Sequence, residues 1–127
     1  MFESLSLEIV AYIGFAKVKA WAVNNELHYS KDLMLDPSGC TDDSVSEMSP
    51  DEFLRRLDLL NISDWKKSYK PIKQMYIDGV FWNVTYDDSD HKKMKYKGEN
   101  AYPGNWDEFL KLMKDAVGDF ELHELEW

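Results

Sequence analysis

From residue 5 to residue 13 apolar side chains fall on alternate positions, Leu5, Leu7, Ile9, Ala11 and Ile13, with Ser4, Ser6 and Glu8 among them. A period of two sends one set to each side of an extended chain, so this segment reads as a half-buried strand. Gly14 permits a turn, and residues 15–23 read as a second strand with Lys17 and Lys19 on one face. Asn24-Asn25 tolerates the positive φ of a tight hairpin, and Leu27 and Tyr29 open a third strand. The first third of the chain is therefore expected to be an antiparallel meander.

Residues 32–52 carry Asp32, Asp36, Asp42, Asp43, Glu47, Asp51 and Glu52 with no basic residue, and include Pro37, Gly39 and several serines. This composition predicts a loop. It ends at Ser49-Pro50-Asp51-Glu52, a helix-start signature in which Ser49 caps, Pro50 fits the first turn and Glu52 reaches back to complete a capping box. Phe53, Leu54, Leu57 and Leu60 then share one side of a helix, and Asn61 is a natural stop. Residues 65–71, aromatic and basic, fit no single element.

Residues 76–86 read as a strand around Asp78-Gly79, with Trp82, Val84 and Tyr86 on one face and Asn83 and Thr85 on the other. Asp87-Asp88-Ser89-Asp90 makes a hairpin. The return strand, residues 92–97, alternates Met94 and Tyr96 with Lys93, Lys95 and Lys97, a charged face suited to a sheet edge. A second helix start follows at Asn105-Trp106-Asp107-Glu108, with asparagine as cap. Phe109, Leu110, Leu112, Met113, Ala116 and Val117 supply its apolar face, and Gly118 ends it. The tail, residues 120–127, either returns to the sheet edge or lies on the surface. Asp51-Glu52-Phe53-Leu54 is echoed by Asp107-Glu108-Phe109-Leu110, an echo that helix capping alone accounts for.

The 127 residues suit one domain with its own core. The expected fold class is α+β, an antiparallel sheet of about five strands with two amphipathic helices packed on one face. A net charge of −9 repels phosphate backbones and anionic membranes and attracts cationic proteins. Cys40 has no cysteine to pair with, His28, His91 and His123 are scattered, and no leader or membrane span is read, so a cytoplasmic location is expected with no cofactor. Asn61-Ile62-Ser63 and Asn83-Val84-Thr85 match the glycosylation pattern, which has no meaning outside a secretory route.

Candidate chemistry narrows quickly. A calcium loop counted from Asp88 meets Lys92 and Lys93 where a ligand and the obligatory glycine belong, so no metal ligands are assigned. The stretch from Gly98 to Gly104 lacks the lysine of a phosphate loop. Cys40 lies in an acidic stretch that disfavours thiolate. No catalytic residues are assigned, although His91 beside Asp90 and His123 beside Glu124 would serve as acid or base if a cleft enclosed them. The basic stretches 66–73 and 92–97, with Trp65, Tyr69 and Tyr96, read as a mixed-charge surface against the acidic remainder rather than as a nucleic-acid ribbon.

Asp78-Gly79-Val80-Phe81-Trp82, then Gly98-Glu99-Asn100-Ala101-Tyr102-Pro103, then Asn105-Trp106-Asp107-Glu108-Phe109, resemble a recurring pattern in small uncharacterised bacterial proteins, over residues 65–117. In physical terms the pattern is scaffold: residues 100–103 turn the chain from strand to helix over Trp82 and Trp106. In size and charge alone the chain is also similar to phage-encoded anti-CRISPR proteins and toxin-immunity proteins.

These readings converge on a non-enzymatic acidic binding protein that inhibits a basic, nucleic-acid-handling protein by occupying its positively charged surface. The residues expected to bind the partner are Asp32, Asp36, Asp42, Asp43 and Glu47, acting from a flexible loop in imitation of a phosphate backbone. The alternatives are a small enzyme with a His/carboxylate site, and a structural interaction module that pairs through an exposed strand or aromatic patch.

Overall fold

The computed structural model describes residues 2–11, 14–34, 37–70, 80–88 and 93–120. The strand alternation read from the sequence becomes the centre of a sheet. Leu5, Leu7 and Ile9 of β1 (Phe2–Ala11) are at most 1% exposed, while Glu8 between them faces outward with its carboxylate 3.7 Å from Lys17. β2 (Gly14–Val23) and β3 (Glu26–Leu33) continue antiparallel, joined by Asn24 and Asn25, both at positive φ as their small polar side chains allow. The second half returns β6 (Phe81–Asp88) to the other side of β1, with Leu7 opposite Val84, and pairs it with β7 (Lys93–Glu99). The segment 76–79, the hairpin residues 89–90, Lys92 and the tail beyond residue 120 lie outside the described residues.

Two strands were not expected. The acidic segment forms β4 (Thr41–Val45) on the flank of β3, after a short 3-10 turn over Pro37–Gly39, so Asp42 and Asp43 sit on a paired strand rather than on a flexible loop. Side-chain bonds hold it: Cys40 Sγ accepts from the Leu33 N–H at 3.2 Å, and the Ser46 hydroxyl donates to the Ala116 carbonyl at 2.5 Å. β5 (Ser68–Tyr69) runs parallel to β7, so the lysine-bearing strand is covered there rather than forming the margin. The sheet is thus mixed and seven-stranded, in the order β4-β3-β2-β1-β6-β7-β5.

Two helices complete an α+β fold. α1 (Pro50–Leu59) starts as expected, the Ser49 hydroxyl accepting the Glu52 N–H at 3.1 Å, but the Glu52 carboxylate turns to Arg55 instead of closing a capping box. Asn61, at φ 50°, ends that run. Phe53 and Leu57 of α1 share one core with the inner sheet face and with Phe109, Leu112, Met113 and Val117 of α2 (Trp106–Val117). Arg56 and Asp115, 2.9 Å apart, tie the helices together.

Where strand gives way to α2, Trp82 and Trp106 lie 4.6 Å apart and Trp65 stands edge-on to Trp82 at 6.0 Å. Asn105 precedes α2, but its side chain does not cap. It accepts the Trp65 indole N–H at 2.8 Å and donates to the Leu60 carbonyl at 2.7 Å, joining the end of α1 to the start of α2. The Trp82 indole crosses β7 at Gly98 and donates to the Ala101 carbonyl at 2.9 Å. A Cβ at Gly98 would stand 2.1 Å from that indole nitrogen and 2.6 Å from the same carbonyl, so no larger residue fits.

Asn105→Ala leaves the indole N–H of buried Trp65 and a carbonyl unpaired and should destabilise by about 2–3 kcal/mol in urea unfolding. Gly98→Ala should be at least as harmful, by about 3 kcal/mol, because backbone and a packed indole must both move.

Candidate protein-binding face

Cross-strand partners in an antiparallel sheet point to the same side, so the register fixes what the face away from the helices displays. One row reads Asp32, Lys17, Glu8, Asn83, Lys97 from β3 to β7, and the next Ser30, Lys19, Ser6, Thr85, Lys95. A third reads His28, Trp21, Ser4, Asp87, Lys93, with Val45 of β4 beside His28. Asp42 and Asp43 together oppose Ser30 in a β-bulge, where the ladder shifts register between Tyr29 and Lys31. Among the described residues no helix covers this face, and a shallow groove of about 640 Å³ runs across it with Asp32 and Asp42 on its wall.

Of the five expected partner-binding residues, the structure brings Asp32, Asp42 and Asp43 to one margin of this face, all exposed. The Asp43 carboxylate lies 2.7 Å from His28 Nδ1, and the His28 ring stacks on Trp21 with centroids 6.0 Å apart. Glu47 is exposed in the connection between β4 and α1, and Asp36 lies outside the described residues. His91 and His123 lie outside them too.

The face is not uniformly acidic. Carboxylates and lysines are balanced on this face, Lys17 and Lys19 standing between the acidic margin and Glu8, and Lys93, Lys95 and Lys97 standing opposite on β7. The period-two pattern already assigned these lysines to an outward side; the order of the strands, which sequence patterning does not supply, was needed to see that the face is polarised. No family model, curated protein or solved structure matches the chain.

A second cleft, of about 420 Å³, lies between the end of α1 and strands β6 and β7, lined by Asp58, Tyr86, Asp88 and Met94. Burial first, then the negative charge of Asp58 and Asp88, pushes the Tyr86 phenol above its ordinary value, so it stays protonated at neutral pH and is unsuited to act as a base. Among the described residues no three His, Cys, Asp or Glu side chains converge as metal ligands. No helix among them is long and apolar enough to cross a membrane.

Tyr96 and Tyr102 are raised in the same direction, chiefly by burial. Above the ordinary tyrosine value of 10.0 the unfolded chain releases phenolic protons that the folded chain retains, so folding stability should fall as pH rises through that value. Urea midpoints measured across the alkaline range should show this decline, and Tyr86→Phe should reduce its slope.

Proposed function

We propose that this protein is a non-enzymatic binding protein that inhibits a basic, nucleic-acid-handling protein by seating its β3–β4 margin in that partner's positively charged groove. The observation that carries this reading is the gathering of Asp32, Asp42 and Asp43, all exposed, at the free side of an uncovered sheet face. Held on paired strands, these carboxylates lose little freedom on binding, which favours affinity over what a loop of equal charge would give. The net charge of −9 adds long-range attraction for such a partner. The similarity in size and charge to anti-CRISPR and toxin-immunity proteins points to the same class of partner, and the reading calls for no cofactor, no nucleic acid and no membrane.

The test is competition. A fluorescent arginine-rich peptide bound to duplex DNA should be displaced by this protein, with an apparent affinity that falls steeply with added salt. The triple variant Asp32→Lys, Asp42→Lys, Asp43→Lys should lose at least about tenfold in that affinity, while Glu3→Lys should change it little. Equal displacement by the triple variant, or displacement indifferent to salt, would sink the proposal.

A further inference from the structure

The uncovered face also leaves a line of apolar side chains in water. Phe15, Val10 and Phe81 are cross-strand neighbours on β2, β1 and β6. The Met34 N–H donates to the Phe15 carbonyl, which sets Met34 at the end of the same line. Val10, Phe81 and Met34 are 38%, 47% and 56% exposed. Phe15, Val10 and Phe81 on three adjacent strands, with Met34 just past β3, form one contiguous apolar surface that Glu99 of β7 ends on the far side, unlike the scattered single residues that any soluble protein shows.

Beside this line the charge changes sign from margin to margin, with Asp32 on β3 and Lys97 on β7 in the same row. A partner of uniform sign that spanned the whole face, and not the β3–β4 margin alone, would be repelled by one side of it. The face accepts instead a surface with an apolar line and the two signs in reversed order, and a second copy turned over has that arrangement. We propose that this face is a homodimer interface, two copies meeting face to face about a two-fold axis that runs along β1, the middle strand of the seven.

That rotation leaves positions along the strands unchanged and exchanges the two margins. Phe15 meets Phe81 of the second copy, Val10 meets Val10, and Asp32 meets Lys97. Glu8 lies on the axis and meets its own mate, each already bridged to its Lys17 at 3.7 Å. The two β1 strands run parallel on either side of the axis, and the twist of each sheet splays the corners apart. The five strands from β3 to β7 at about 4.8 Å spacing and four outward rows at about 6.8 Å give each copy about 400 Å², or about 800 Å² in all, the size of a weak, salt-sensitive interface. Among the described residues the carboxylates and lysines of this face are nearly equal in number, so the copies are not driven apart where they touch.

Sedimentation equilibrium of the full chain tests this without any heterologous partner, so its result is separate from that of the peptide competition. In low salt the protein should be dimeric, with a dissociation constant that rises with ionic strength. Lys97→Glu and Asp32→Lys should each weaken the dimer about tenfold, and the two together should restore it to within about threefold, because the pair is only exchanged. Phe81→Ser should weaken it without lowering the thermal midpoint of the dilute monomer, and Glu8→Gln should tighten it. A monomer at about 0.1 mM in low salt, or a dimer that the double exchange leaves weak, overturns the proposal.

Discussion

The alternation in β1 is the constraint on which the molecule rests. This strand is paired on both sides, to β2 and β6, and its odd-numbered side chains Leu5, Leu7 and Ile9 are buried while Ser6 and Glu8 face out. A slip of one residue would exchange these sets, burying a carboxylate and exposing three large aliphatic groups, so the register is fixed by the energy of burial itself. Because β1 commits its sides, β2 and β6 must commit theirs. The lysines and carboxylates of the outer face are thus as firmly placed as the core.

The parts of this arrangement that depend on neighbouring residues were legible in the sequence. Asn24-Asn25 demanded a tight turn, Ser49-Pro50 demanded a helix start, and the spacing of Phe109, Leu112, Met113 and Ala116 demanded a buried helical face. β4 was hidden because Thr41–Val45 has neither alternation nor bulk; it is a strand because β3 offers it a ladder and Cys40 and Ser46 fasten its ends. β5 is two residues long and depends on β7, which nothing local announces. Asn105 was misread for the same reason. Capping is a local demand, and a tryptophan forty positions earlier outbid it.

The candidate site shows the same division. That Asp32, Asp42 and Asp43 are exposed acids could be read directly, and so could the sidedness of Lys17, Lys19 and the β7 lysines. What could not be read was the succession of strands between them, a long-range fact. It turns a count of charges into a face with two unlike margins, and it moves the useful description of this protein from how acidic it is to where its acids stand.

The placement of β6 beside β1 has a consequence for how the chain is made. During synthesis β1 can pair with β2 as soon as both have emerged, but its other flank must wait for Val84 and its neighbours to meet Leu7. At about 5–20 residues per second that interval lasts seconds, with a row of unsatisfied main-chain groups at the future heart of the sheet open to any other nascent strand. Crowding of ribosomes on one message therefore sets neighbouring copies of this half-made sheet side by side.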